Sequence, residues 1–348
     1  MQKKSNSINI LGIETSCDET AAAVVEDGRV VKSSIIASQT KIHEKYGGVV
    51  PEIASRAHIE QIYPVVAEAM AQANVTKDNI AAIAVANQPG LTIALVVGVT
   101  AAKTLSIVWG KPLIAINHLY AHLQSAMLSE DELQLPAVAL IVSGGHTCLY
   151  DCRSPLELKL LGSTIDDAVG EAFDKVAMIL KLPYPGGPSI EEAAEKGNPD
   201  AIKFPRTMLG PQSLDFSFSG IKTAVLYYCR GQDMKGENKV DSMSQKQIAD
   251  IAASFQKAVI DVLVEKTQRA VDKIGAKTVL LGGGVAANNE LRRHLKEMCE
   301  MAAPPKKLLV APKPYCTDNA VMVASLGYHK FKAGLFADLT LEPSATGL

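Results

Sequence analysis

The chain has 348 residues, 47% of them hydrophobic and only 5% aromatic, so it can bury substantial cores and has room for two domains. Its 35 basic and 37 acidic side chains give a formal net charge of −2, which excludes a generally basic nucleic-acid binder. A nucleic-acid substrate would need a local basic patch or a partner's help. Cys17, Cys148, Cys152, Cys229, Cys299 and Cys316 show no C-x-x-C pair and no framework spacing, which predicts reduced thiols and a cytoplasmic protein. The start, Met1-Gln2-Lys3-Lys4-Ser5, leads directly into a strand without a signal-peptide pattern. No apolar run reaches the about 18 residues that cross a bilayer. The stretch 91–102 is too short, and Gly98 and Thr100 interrupt it.

In chain order, residues 7–14 read as a strand, 15–20 as a polar turn, 21–25 as a second strand and 26–29 as a hairpin turn. Helical patterns at 53–73 and 90–109 flank a short strand at 80–86. Asn117 then precedes His118-Leu119-Tyr120-Ala121-His122. Asn117 suits an N-cap, and Leu119, Leu123 and Met127 keep helical spacing behind it. Residues four apart on a helix point the same way, so both imidazoles can reach one cation. The plain alternative is two histidines on a wet helix face. The general base of an H-E-x-x-H zinc peptidase would stand where Leu119 stands, and Tyr120 and Ala121 offer no carboxylate. The motif supplies ligands but no protease base.

A linker is expected near 129–136, where acidic residues and Pro136 interrupt the pattern. The opening plan then repeats: a strand at 138–142, a tight polar turn at 143–147 and a return strand at 148–151. Helices are expected around 165–180, 189–196 and 245–274, and the polar stretch 230–243 reads as an exposed loop. A buried strand at 278–281 runs into Gly282-Gly283-Gly284-Val285-Ala286-Ala287-Asn288-Asn289 and a helix from Glu290. Three loops of small residues, 15–20, 143–147 and 282–289, let backbone N–H groups approach an anionic oxygen. Glycines at strand ends are more often plain turns, and none of these loops matches G-x-G-x-x-G or the G-K-[ST] of a Walker A loop. Two strand–loop–strand units plus a late strand–Gly-rich–helix element predict an α/β fold of duplicated ribonuclease-H-like lobes. That is the fold of sugar kinases, heat-shock chaperones and actin (the ASKHA superfamily). The expected division is an N-terminal lobe at 1–133 and a C-terminal lobe at 134–348, whose last helix is free to pack back on the first lobe.

Further ordered motifs accompany these. They include Gly12-Ile13-Glu14-Thr15-Ser16-Cys17-Asp18-Glu19-Thr20, Tyr46-Gly47-Gly48-Val49-Val50-Pro51-Glu52 with Ala54-Ser55-Arg56 and His58, and Gly170-Glu171-Ala172-Phe173-Asp174-Lys175. Tyr184-Pro185-Gly186-Gly187-Pro188, Phe216-Ser217-Phe218-Ser219-Gly220-Ile221-Lys222-Thr223 and Thr317-Asp318-Asn319-Ala320 complete the set. Through them the chain resembles, over nearly its whole length, the universal tRNA threonylcarbamoyladenosine-modifying transferases of bacterial TsaD type, formerly called O-sialoglycoprotein endopeptidases.

The resemblance implies transfer of the threonylcarbamoyl group from threonylcarbamoyl-AMP to N6 of adenosine 37 in tRNAs that read codons beginning with A, forming t6A. It implies that His118, His122 and Asp318 bind one divalent metal, Fe²⁺ or Zn²⁺, with Mg²⁺ possible beside the nucleotide. Asp318 alone would be read as the N-cap of the last helix. The backbone of Ile141, Val142, Ser143, Gly144 and Gly145 would hold the acyl-adenylate. Asp174, Glu191 and Asn288 would contact its nucleoside part, and Gly187 would let backbone approach it, unless residues 185–188 are simply a rigid turn. Asp18 and Glu19 are the candidates to accept the N6 proton; the plain alternative is a solvated acidic turn. His146 would donate to a phosphate or cap its turn, and Lys41, His43, Lys45 and Arg56 gather where tRNA backbone could touch.

The implied partners are tRNA, a catalytically inactive paralogue of the same fold (TsaB type) and a small P-loop ATPase (TsaE type). Helix segments at 65–73 and 98–105 are candidates for a dimer surface, although core helices look the same in sequence. Gln88 stands where the family usually has Gly, and Glu191 where many bacterial members have Asp, which puts its ribose contact in doubt. Two other readings stand beside this one. A metallopeptidase is disfavoured by Leu119 and by loops a peptidase does not use. A non-catalytic nucleotide-dependent scaffold would have no need of His118, His122 and Asp318 together.

Overall fold

The computed structural model describes residues 7–128, 133–231 and 239–347. It divides into two compact units, Met1–Asp131 with Pro314–Leu348, and Glu132–Lys313. In the first, β1 (Asn9–Glu14), β2 (Glu19–Glu26) and β3 (Val30–Ser38) form a meander. They are followed by α1 (Thr40–His43), α2 (Pro51–Gln72), β4 (Ile80–Gln88), α3 (Thr92–Trp109), β5 (Leu113–Asn117) and α4 (His118–Met127). In the second, β6 (Ala137–Val142), β7 (Thr147–Ser154) and β8 (Glu157–Ser163) repeat the meander. There follow α5 (Val169–Ile179), α6 (Gly186–Ala194), α7 (Ser219–Arg230), α8 (Gln245–Ile274), β9 (Thr278–Gly282), α9 (Asn289–Met301) and β10 (Lys307–Val310). The chain then re-enters the first unit as α10 (Ala320–Lys332).

The sheets are ordered β3-β2-β1-β4-β5 and β10-β9-β6-β7-β8. Each has an antiparallel three-strand meander continued by two parallel strands. The two lobes therefore share one topology, the expected duplicated ribonuclease-H-like plan. The break between units falls at Asp131/Glu132, inside the expected linker, of which 129–132 lie outside the described residues. The second lobe ends at Lys313 rather than at 348, because the segment from Pro314 belongs to the first. Half of the expected loop at 230–243 (residues 232–238) also lies outside the described residues; a short turn at Lys239–Ser242 buries Val240.

In the first lobe the two faces of the sheet are read from alternate residues, as the strand period requires. Ile10, Ala21, Ala23 and Val25 pack with Val321, Val323 and Ala324 of α10, whereas Leu11, Ile13, Ala22 and Val24 pack with Val65, Ala69 and Val99 of α2 and α3. Gly12 is required where β1 meets α10: a Cβ there would press into the Ala320 carbonyl and the Ala324 amide. Helix α3 corrects the expectation of a short apolar stretch. It runs 18 residues with a mean hydropathy of 1.7, long and apolar enough to cross a membrane. Ala94, Leu95, Gly98, Val99 and Ala102 of it are buried within the lobe.

Candidate metal centre and nucleotide loops

Helix α4 starts at His118 because Asn117 caps it, its side-chain oxygen accepting from the Leu119 and Tyr120 amides. His118 and His122 are thus one turn apart and both buried. At the head of α10 the cap is Asn319, whose side chain accepts from the Met322 amide. Asp318 is left outside the helix and turned to the histidines, so the N-cap alternative for Asp318 is replaced by its neighbour. The His118 and His122 Nε2 atoms lie 3.1 Å apart, and Asp318 Oδ1 lies 3.4 Å and 3.2 Å from them.

These separations test whether an ion fits. Ligands at about 2.0–2.1 Å from a tetrahedral centre lie about 3.3–3.4 Å from one another, close to the observed edges. Two imidazoles and one carboxylate suit Zn²⁺ or Fe²⁺ and leave positions open. His118, His122 and Asp318 form the cluster of potential ligands among the described residues, all three ligand atoms lying within 4.8 Å of one another. Burial disfavours a charged His118, but Glu14 and Asp318 outweigh it and hold its pKa well above the usual imidazole value. Burial lowers that of His122. Burial alone would raise the Asp318 pKa; the adjoining histidines reverse this and hold its carboxyl well below the ordinary range.

The loop after β1 brings the acidic pair to the same lobe. Burial first, with the charges of Asp18 and Asp318, raises the Glu19 carboxyl to a pKa of about 8, against the hydrogen bond from Ser38, which lowers it. Ser38 Oγ donates to Glu19 Oε1 at 2.8 Å, while the buried Oε2 has no hydrogen-bond partner among the described residues. Burial and the Asp318 charge also raise the Asp18 pKa. A carboxyl that titrates near neutrality can take up a proton at working pH. Burial, then Asp18 and Asp318, push the Cys17 thiol well above the usual value, which disfavours its thiolate. None of the six cysteines forms a disulfide.

In the second lobe the turn after β6 is closed by the Ser143 amide donating to the His146 carbonyl at 2.8 Å, and the His146 amide donates to Ser143 Oγ at 3.1 Å. Ile141, Val142 and Ser143 are buried, whereas Gly144 and Gly145 are exposed. A Cβ added to Gly144, Gly145 or Gly187 would meet nothing within 4 Å, so these backbones face open space. Asp174 accepts from the Gly186 amide at 2.7 Å and thereby seats the 185–188 turn. Glu191 accepts from the Asn289 amide at 2.7 Å, at the N-terminus of α9. Asn288 caps α9 through the Leu291 amide and donates to Gln256 at 2.8 Å, so its side chain is largely engaged within the protein. A cavity of about 380 Å³ beside these residues is lined by Glu191, Gln256, Lys257, Asn289, Arg293 and His294. Its volume is in the range of ligand pockets.

Some expectations change. His43 is fully buried, hydrogen-bonded to Gln39 and to the Val50 amide, and does not present itself to a nucleic acid; Lys41, Lys45 and Arg56 are exposed. Of the segments offered as a dimer surface, Val65, Ala69, Gly98 and Ala102 pack inward as core, whereas Thr100, Ala101, Thr104 and Leu105 line an open groove. The apolar face left open lies on the other side of α2 and α3, a groove of about 460 Å³ lined by Ile59, Tyr63, Val96, Val97, Thr100 and Thr104. The 216–223 motif is structural: Asp166 accepts from Ser217 and the Phe218 amide, and Asp167 pairs with Lys175 and Lys222, which ties α7 to α5. Two residues hydrogen-bonded to the candidate metal cluster, Glu14 and Ser16, carried no role in the sequence reading. The available signal was a carboxylate ending an otherwise apolar strand.

Comparison with known proteins agrees with this fold. Folds of the same kind occur in HypF from T. kodakarensis (TM-score 0.60, 14% identity, 94% of this chain and 48% of that one). They also occur in (R)-2-hydroxyglutaryl-CoA dehydratase component A from Acidaminococcus fermentans (TM-score 0.52, 16% identity, 93% and 98%). The ROK hexokinase of Thermus thermophilus is similar too (TM-score 0.50, 17% identity, 94% and 100%). At these identities the likeness concerns the fold. Residues 30–325 match the family model TsaD, tRNA N6-adenosine threonylcarbamoyltransferase. Proteins of that name from Moorella thermoacetica (50% identity, 98% of this chain and 97% of that protein) and Rhodopirellula baltica (49%, 96% and 95%) are similar from end to end. The chain belongs to the tRNA N6-adenosine threonylcarbamoyltransferase family, a family of transferases.

Proposed function

We propose that this chain transfers the threonylcarbamoyl group of threonylcarbamoyl-AMP to N6 of adenosine 37 in tRNAs reading codons that begin with A, yielding t6A and AMP in the cytoplasm. The observation that carries the reading is the convergence of His118 Nε2, His122 Nε2 and Asp318 Oδ1 in a chain of this family. Those three side chains would hold one Fe²⁺ or Zn²⁺, which supplies Lewis acidity toward the donor's oxygens; Mg²⁺ is a further candidate at the nucleotide phosphate. The open backbone of Gly144 and Gly145 offers N–H groups to the adenylate phosphate, Glu191 borders the room for its nucleoside, and the backbone of Gly187 is bare enough for close approach.

In the transfer, the N6 amine forms a bond to the carbamoyl carbonyl carbon, and the bond from that carbon to the phosphate oxygen breaks, releasing AMP. The proton lost from N6 passes to Glu19, whose pKa near 8 suits the task, with Asp18 beside it positioning the amine. Exposed Lys41, Lys45 and Arg56 are placed on the tRNA backbone in this reading. The open groove on α2 and α3 would seat the inactive paralogue of the same fold, and a small P-loop ATPase would complete the complex.

The test is mass spectrometry of nucleosides from tRNA incubated with the chain, threonylcarbamoyl-AMP and these partners, beside His118→Ala and Asp318→Ala. Modified adenosine from the wild type alone supports both transfer and triad. No product from the wild type, with the partners active alongside another family member, sinks the transferase reading. Product from all three removes the metal from the mechanism.

A further inference from the structure

We propose that Glu14 aims the metal centre, gripping the Nδ1–H of His118 from behind so that this ring turns its Nε2 toward His122 and Asp318. The inference rests on the metal reading above, and names a residue outside the ligand set.

Glu14 ends β1, a strand buried along its whole length, and is itself fully buried. A carboxylate there is costly unless both oxygens are matched. Both are: Oε1 accepts the Ser16 amide at 2.5 Å, and Oε2 accepts His118 Nδ1–H at 2.9 Å. Ser16 Oγ stands 3.1 Å from the same nitrogen. One side chain thus joins the strand, the loop after it and the head of α4. The second imidazole has no such hold, because the buried Nδ1 of His122 has no hydrogen-bond partner among the described residues. The two ligands are unequal: one ring is fixed in rotation and in which nitrogen carries hydrogen, the other is oriented from its Nε2 side alone. A carboxylate behind a ligating imidazole also increases its basicity toward the metal, and losing such a partner typically costs about 10–100-fold in metal affinity.

Glu14→Gln separates this role from simple filling of space. Glutamine has one acceptor oxygen, so it can serve the Ser16 amide or His118, not both, and its NH₂ favours the opposite hydrogen placement on the ring. The full-length chain, stripped of metal, is titrated with Zn²⁺ against a chromophoric chelator, and nitrogen-edited NMR follows the His118 Nδ1–H with and without zinc. The expected result is about 10–100-fold weaker zinc binding in Glu14→Gln, loss of its protected Nδ1–H signal, and partial recovery of both in Glu14→Asp. Unchanged zinc affinity, or an Nδ1–H signal that persists in Glu14→Gln, overturns the proposal, as does a lowered melting temperature with neither readout altered. If Glu14→Gln does not fold, Glu14→Asp is judged against wild type by the same two readouts. A wild type that binds no zinc refutes the metal reading instead, and the Nδ1–H signal of the metal-free protein then decides the role of Glu14 alone.

Discussion

The first and second lobes repeat one strand order, yet at the same topological point they do opposite things. The last residue of β1 is Glu14; the last residue of its counterpart β6 is Val142. After Glu14 the chain packs buried polar and charged groups against one another. After Val142 it opens into Gly144 and Gly145, with no side chain over the backbone. A buried cation site needs its ligands held and their charges matched, whereas an anion cradle needs bare N–H groups and room. Under the proposed function a single duplicated hairpin would provide for either need, depending on whether its first strand ends in a carboxylate or an aliphatic side chain.

The sharpest way to break this contrast is to damage one lobe and read both. Asp318→Asn should abolish zinc binding and lower transfer by about 10³-fold or more, while affinity for an AMP analogue, measured by calorimetry, stays near wild type. Glu19→Gln should lower transfer by about 10²–10³-fold with metal content intact. It should also flatten the rise of kcat/KM with pH near 8. Stability carries the same signature in the metal-free protein. Because the folded pKa of Glu19 lies above its usual 4.5, the folded state holds the extra proton between the two values. The carboxyl therefore favours folding below about 4.5, and that contribution is lost as pH rises toward 8. The melting temperature of Glu19→Gln should gain on wild type across that window, as scanning calorimetry would record.

On the other side of the comparison, Gly144→Val or Gly187→Val should raise KM for threonylcarbamoyl-AMP by about tenfold, near 1.4 kcal/mol, and leave zinc binding unchanged. Folding should tolerate both, since a Cβ at either position meets no neighbour. The smallest expected effect is Asn319→Ala, a loss of about 1 kcal/mol of stability from the cap of α10, read as a shift in the denaturant midpoint. Equal damage to metal and nucleotide binding by any one of the first three kinds of change would show that the lobes do not divide the work.

Much of this was legible in the residues. The period-2 pattern of β1 and β2, the turn between them and its repeat at 143–147 carry the duplicated fold, and Asn117 with the two histidines gives the helix head directly. Other parts were hidden for physical reasons. Strands β5 and β10 are only five and four residues long, too short for alternation to show, and the mostly exposed β8 lacks an apolar face. Asp318 lies far along the chain from His118 and His122, so no spacing rule links them and only the resemblance named it; the packing of α10 on β1 brings it there. His43 reads as an exposed basic residue because burial by Gln39 and Val50 leaves no trace in composition. The inward turn of Val65 and Ala69 is likewise invisible where both sides of a helix are apolar.

The return of the chain through α10 has a consequence for biosynthesis. The strands of the first lobe leave the ribosome before those of the second, but its sheet keeps one apolar face uncovered until the segment from Pro314 has been made. Its carboxylate ligand arrives with that same segment. The lobe begun first is therefore finished last, after the whole of the second lobe has been translated. A chain cut short anywhere before Asp318 lacks one of the three candidate ligands, so under the proposed function metal loading would report that synthesis has passed this point.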